Sequence, residues 1–329
     1  MLRRLLSAYK HLSVFYYTYT SLVIMAPQLA WVGLGNMGRG MCKNLVEKGD
    51  LAKPLIIFNR TQKRATDLNA KLPSGKSTVA SSLDEAVSKA DIIFTCLGDD
   101  AAVIDTIEAA IKGNVKGKLF VDCSTVHPES TNMLAKSIQG QGAEMVACPV
   151  FGAPAMADNG QLVCVLAGPA SAVEEVKPYC KGVIGRENID YSDQPQGKAT
   201  LLKIIGNTLI LNMVEALSEG HTLAGKSGLG NDNLHQFIET MFPGPYTAYS
   251  GRLMGGDYYK RDEPLFGVDL ARKDAKHALK LAEASGTKMK DVEVADSHLA
   301  AVQKYMGSKG DIAGIYGAVR QEAGLKFEN

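Results

Sequence analysis

Leu29-Ala30-Trp31-Val32-Gly33-Leu34-Gly35-Asn36-Met37-Gly38 decides the fold of this chain. Four apolar residues in a row suit a strand buried on both faces, and the glycine run after them opens a helix through Met41 and Leu45. A second apolar run, Leu55-Ile56-Ile57-Phe58, follows at the distance expected of a βαβ unit. A GxGxxG spacing alone is weak evidence, but between a strand and a helix it has a physical meaning. Gly33 permits the tight turn, Gly35 lets backbone approach a pyrophosphate, and Gly38 lets the helix pack closely on the strand. Leu34, Asn36 and Met37 complete the loop, and the helix N-terminus adds free N–H groups and positive potential. The segment predicts a dinucleotide-binding site.

Outward from this loop, short apolar runs at 91–97, 119–122, 145–150 and 162–166 alternate with helical stretches. That alternation predicts a doubly wound α/β domain, a parallel sheet covered by helices on both faces. A smaller addition at 183–191 finishes it. At Pro195 the texture changes. Leu201, Leu202, Ile205, Leu209, Met213 and Leu217 recur at helical steps, predicting one helix over 197–228, roughly 45 Å long. Further helices are expected at 233–242, 265–285 and 289–306, with no strands after Tyr191. The expected organisation is an extension over 1–26, a Rossmann-type dinucleotide-binding domain over 27–192, and an all-helical substrate and dimerisation domain over 193–329. A helix that long needs a partner, so a homodimer or homotetramer is expected.

Composition narrows the function. The 329 residues are 46% hydrophobic and carry a net charge of +1, which offers no long-range attraction for nucleic acid or an anionic membrane. A small-molecule substrate is the expected partner. The six cysteines form no CxxC pair and sit in apolar runs, where thiols act as small hydrophobes. The six histidines show no metal-ligand spacing, so no metal site is expected. The first 26 residues contain Arg3, Arg4, Lys10 and several hydroxyls but no acid, the composition of a mitochondrial transit peptide. Alternatively Met25 is the true start, leading directly into the first strand. The expected address is mitochondrial in the first case and cytoplasmic in the second.

The end of the second strand selects the nicotinamide. An NAD site wants a carboxylate there for the ribose hydroxyls, whereas this chain presents Asn59-Arg60-Thr61. A guanidinium fork beside amide and hydroxyl donors suits a 2′-phosphate, so NADP is expected, working as NADPH, with NAD possible as the alternative. On the long helix, Lys203 and Asn207 are four apart and share a face. Lys203 lies among apolar neighbours, where burial would lower its pKa and suit it to proton donation. From pattern alone the rival reading is a snorkelling surface lysine.

The motifs and their order resemble the β-hydroxyacid dehydrogenase family, which includes 3-hydroxyisobutyrate dehydrogenase and the glyoxylate/succinic semialdehyde reductases. The resemblance runs from Leu29 to the C-terminus. It is carried by GLGNMG at Gly33–Gly38, Asp122-Cys123-Ser124-Thr125-Val126-His127-Pro128, Pro149-Val150-Phe151-Gly152, Gly160-Gln161-Leu162, Lys203 with Asn207, and Lys273-Asp274. It implies Lys203 as catalytic acid/base with Asn207 as its partner. It also implies cofactor contacts from the glycine loop, Asn59, Arg60, Thr61, Leu97, Gly98, Thr125 and Lys273. Ser124 and the backbone near Gly152 are implied to face a substrate carboxylate, although Ser124 also reads as a turn hydroxyl capping the next helix. Together these imply an NADP(H)-dependent oxidoreductase acting on a β-hydroxyacid or short aldehyde acid.

Departures limit that reading. Phe151 stands where the family has serine, and Gly206 replaces the first of two asparagines. A donor to the carboxylate is lost and a ring gained, which leaves the substrate open. Rival readings are an imine reductase-like enzyme, in whose relatives the lysine is usually replaced, and a non-catalytic NADP-binding module. The segment Phe242-Pro243-Gly244-Pro245-Tyr246 reads either as pocket lining or as a helix-breaking loop.

Overall fold

The structure is a computed structural model and describes residues 26–329. The expectations for the N-terminal extension fall on residues outside the described ones, Ala26 excepted.

The chain opens with β1 (Leu29–Val32), α1 (Gly38–Lys48) and β2 (Leu55–Phe58), then α2 (Gln62–Asn69), β3 (Ser77–Val79) and α3 (Leu83–Lys89). β4 (Ile92–Thr95), α4 (Asp100–Ala110), β5 (Leu119–Asp122), α5 (Pro128–Gly140) and β6 (Glu144–Ala147) follow. These strands lie parallel in the order β3-β2-β1-β4-β5-β6. β1 is apolar throughout because both of its faces are covered. Leu29 and Trp31 enter one core with Met41 and Leu45 of α1. Ala30 and Val32 enter the other with Val103, Ile107, Leu134 and Ile138 of α4 and α5. Strand order reverses between β1 and β4, and ligands of open α/β sheets bind at the carboxyl ends of the strands beside such a point.

The sheet is parallel as expected except at one edge. The run 145–150 breaks into β6 and β7 (Val150–Phe151) at Pro149, which has no N–H to give a ladder. After α6 (Pro154–Asn159), β8 (Leu162–Gly168) runs antiparallel to β6 and β7. Following α7 (Ala170–Val176), β9 (Gly185–Ser192) pairs parallel to β8.

Beyond Ser192 the described chain is helical: α8 (Gly197–Ser227), α9 (Asn231–Met241), α10 (Pro245–Gly255), α11 (Asp257–Lys260), α12 (Val268–Ala284), α13 (Lys290–Met306) and α14 (Ile315–Glu322), with short 3-10 turns. The 31-residue α8 serves two cores. Near its start Ala199 packs with Ala147, Val165 and Ala167 of the sheet. Its Gly197 N–H is held by Asn132 Oδ1 at 2.8 Å. Farther along, Leu211, Val214 and Leu217 pack with Val268, Val292, Leu299 and Tyr316. By length and composition α8 could cross a membrane, yet 56% of its most apolar window is buried in these cores. It stops where Gly228 takes a left-handed φ of 84°.

Candidate active site

The glycine loop divides its labour as the spacing predicts. A Cβ on Gly33 (φ +102°) would sit 2.3 Å from the Cys96 carbonyl, and one on Gly38 would sit 2.3 Å from the Gly33 carbonyl. Both glycines are therefore needed by the fold itself. A Cβ on Gly35 would meet nothing within 4 Å. Gly35 faces the space a dinucleotide needs, and the backbone N–H groups of Gly35, Asn36 and Met37 have no acceptor among the described residues. The loop is braced from below: Trp31 Nε1 donates to the Gly33 carbonyl at 2.8 Å, and Asn59 Oδ1 accepts from Leu34 N at 2.9 Å. Asn59 is thus tied to the loop, while Arg60 and Thr61 stand exposed at the start of α2. This cradle fits a dinucleotide: empty space at Gly35, free N–H groups and a helix N-terminus together.

The helical domain closes over the loop. Asn36 Nδ2 donates to the Pro264 carbonyl at 2.9 Å, and Arg39 pairs with Glu263 at 3.6 Å. Lys273 of α12 donates to the carbonyls of Gly98 and Thr125, so three residues implied as cofactor contacts meet at one point. Leu97, half-buried, packs on the α4/α5 core, while Gly98 is exposed.

At the domain seam lies a buried polar chain. Lys203 Nζ donates to Asn207 Oδ1 at 2.9 Å, and Asn207 Nδ2 donates to Asp274 Oδ2 at 2.6 Å. The other Asp274 oxygen is 3.3 Å from the Lys273 ammonium. Lys203, Asn207 and Asp274 are 8%, 6% and 2% exposed, which excludes the snorkelling reading of Lys203. Burial pulls the Lys203 ammonium down to about 8, Asp274 opposing and Lys273 reinforcing that pull. An amine poised near neutrality and held by a fixed acceptor can give or take a proton. Asp274 is the member sequence reasoning left without a role; its signal was the adjacent Lys273-Asp274 motif on a late helix.

Ser124 is placed differently from its implied role. Its hydroxyl donates to Asp122 at 2.6 Å and accepts from Leu97 N at 2.9 Å, and the residue is 2% exposed. It does not cap α5, whose N-cap is His127. Ser124 instead fastens the ends of β4 and β5 through Asp122, which also takes a hydrogen bond from Thr95. Gly152, exposed with φ +140°, follows Phe151, whose ring reaches α8. A cavity of about 440 Å³ opens beside Lys273, between Asp99, Asp100, His127 and His277. Neither Lys203 nor Gly35 lines it. Cys148, Cys164 and Cys180 lie within 4.8 Å of one another, packed in the apolar core.

The geometry can be set beside known proteins. The NAD binding domain of 6-phosphogluconate dehydrogenase matches residues 28–188. An NADH-dependent oxidoreductase of Aspergillus ustus is 37% identical over 88% of this chain and 98% of its own length. Glyoxylate/succinic semialdehyde reductase 1 of Arabidopsis thaliana is 30% identical over 80% of this chain and 88% of its own. The chain belongs to the β-hydroxyacid dehydrogenase family. It is an NAD(P)-dependent oxidoreductase, with the fold expected from its motifs. That fold is shared with 3-hydroxyisobutyrate dehydrogenase of Mycobacterium tuberculosis, at TM-score 0.75 and 21% identity, covering 90% of this chain and all (100%) of the other.

Proposed function

We propose that this enzyme moves hydride between NADPH and a β-hydroxyacid or short aldehyde acid, with Lys203 as general acid/base. The buried Lys203–Asn207–Asp274 chain is the observation that carries this reading. The nicotinamide, when bound, supplies or accepts the hydride. In reduction Lys203 gives its proton to the nascent alkoxide; in oxidation it takes the proton from the hydroxyl. Asn207 holds the amine in one orientation, and Asp274 anchors Asn207. With the Ser124 hydroxyl spent on Asp122 and Leu97, the backbone near Gly152 is left as the carboxylate anchor. Arg60 and Thr61, exposed beside the cradle, support NADPH over NADH, although the Aspergillus relative is named for NADH. A buried lysine at this position speaks against the imine reductase reading. Exposed Ile205, Leu209 and Leu223 on α8, with Phe237 and Met241 on α9, support a homodimer or larger homo-oligomer built on the helical domain.

A screen of NADPH and NADH consumption over short aldehyde acids, with 3-hydroxyacids in reverse and cyclic imines alongside, tests this in protein starting at Met25. Aldehyde-acid reduction with NADPH is expected. Turnover of imines alone would overturn the reading.

A further inference from the structure

Phe151 and Gly206 come from different elements, the end of β7 and the third turn of α8, and fit each other. A Cβ on Gly206 would lie 2.5 Å from both Cε1 and Cζ of Phe151, so the ring edge occupies the space any other residue at 206 would fill. The same ring has the Lys203 ammonium over it, 4.6 Å from its centroid. Lys203 and Gly206 are three apart on one helix, so a single ring spans both. The other titratable groups acting on Lys203 are Asp274 and Lys273 from α12 and Cys96 after β4. On the sheet side the amine therefore meets an aromatic face in place of a hydroxyl or amide. A buried ammonium is held by the negative face of a ring, and the attraction strengthens where water is excluded.

We infer that Phe151 is a positioning residue for Lys203, and that glycine at 206 is required because it seats the Phe151 ring. The inference rests on Lys203 being the group that moves the proton. Phe151 acts through the Lys203 ammonium. It lays an aromatic face on the amine and favours its charged form, while Asn207 accepts the amine's hydrogen bond and is itself anchored by Asp274. The two departures from the family pattern are then one change: a ring at 151 and the missing side chain at 206 that admits it.

The test reads Lys203 directly and needs no substrate. In the full chain labelled with ¹³Cε-lysine, the Lys203 resonance is identified by its loss in Lys203→Met and followed with pH. Phe151→Leu keeps the site apolar but removes the ring face. It should move the Lys203 midpoint down by about half to one pH unit. Phe151→Tyr should leave it in place. Gly206→Ala should move it down with Phe151 intact, and Phe151→Leu/Gly206→Ala should move it no further than Phe151→Leu alone. Thermal melts confirm folding, and Phe151→Met, unbranched and adaptable, replaces the leucine variant if that one collapses. An unmoved midpoint in Phe151→Leu, equal shifts in the leucine and tyrosine variants, or additive shifts in the double variant would each overturn the inference. Loss of the proton-transfer role is separately visible, as unchanged turnover in Lys203→Ala with these shifts intact.

Discussion

Lys203 and Asn207 stand one helical turn apart on α8, and the ammonium of the first donates to the side-chain carbonyl of the second at 2.9 Å. Helix geometry alone places them on one face, but it cannot bury them. α12 brings Asp274 to the Asn207 amide and Lys273 to the loops after β4 and β5, while the Phe151 ring covers the ammonium from β7. The Lys203–Asn207–Asp274 chain is therefore built within the helical part, and the neighbouring Lys273 ties it to the loops after β4 and β5.

The Lys203 pKa, near 8, gives a direction to each half-reaction. Reduction needs the ammonium, so its kcat should be flat below about pH 7 and fall about tenfold per unit well above pH 8. Oxidation needs the free amine and should rise through the same range to a plateau. Matching profiles in both directions, or an inflection several units away, would separate Lys203 from the chemistry.

Two glycines of the loop should fail differently. Gly33→Ala forces a Cβ to 2.3 Å from a backbone carbonyl at a positive φ, and should cost about 1–3 kcal/mol of stability. Gly35→Val has room in the protein alone, so its melting temperature should stay close to the parent's. Its NADPH affinity should drop at least about tenfold because the side chain fills the pyrophosphate's approach. Thermal melts and fluorescence titration with NADPH distinguish the two. Equal affinity in Gly35→Val would move the cofactor elsewhere.

Arg60 should decide between the nicotinamides. Loss of a charge-assisted contact costs about 1.5–3 kcal/mol, so Arg60→Asp should weaken NADPH roughly 10- to 150-fold and leave NADH near its original affinity. Equal weakening of both cofactors would assign Arg60 to the shared part of the site, and no change would remove it from the site.

Far from the cleft, His298 links helical-domain stability to pH. Its ring nitrogens lie 2.8 Å from Glu215 and 3.2 Å from Glu322. Glu215 raises it to about 9 against the opposing effect of burial. A folded pKa above the unfolded value near 6.5 means the imidazolium's contribution is complete below that value and is lost as pH rises through about 9. The melting temperature of His298→Gln should fall furthest below the parent's near pH 6, and the gap should close above pH 9. A gap that widens with pH would reverse the assignment.

The strands facing two cores were legible because their apolar runs are continuous: Leu29–Val32, Leu55–Phe58 and Leu119–Asp122 are read at their observed bounds. β3 is a three-residue edge strand, Ser77–Val79, with no apolar run to mark it. The breakers around Gly244 and Pro245 read as pocket lining or loop. The structure uses them to start α10, with Gly244 at φ +90° and Pro245 in the first turn, where its missing N–H costs nothing. In the site, the glycine loop and the Lys203/Asn207 pair were visible through local spacing. Ser124 was not, because the Leu97 N–H reaches its hydroxyl only once β4 and β5 are aligned. The Phe151–Gly206 fit spans a gap in sequence that no periodicity bridges, so two separate departures concealed one contact.

Lys203→Ala, assayed with NADPH and an aldehyde acid the parent enzyme reduces, tests the central claim most directly. A lost general acid should lower kcat about 10²- to 10⁴-fold while NADPH affinity and melting temperature stay near the parent's. Parental kcat in a folded, NADPH-binding Lys203→Ala enzyme would contradict the account.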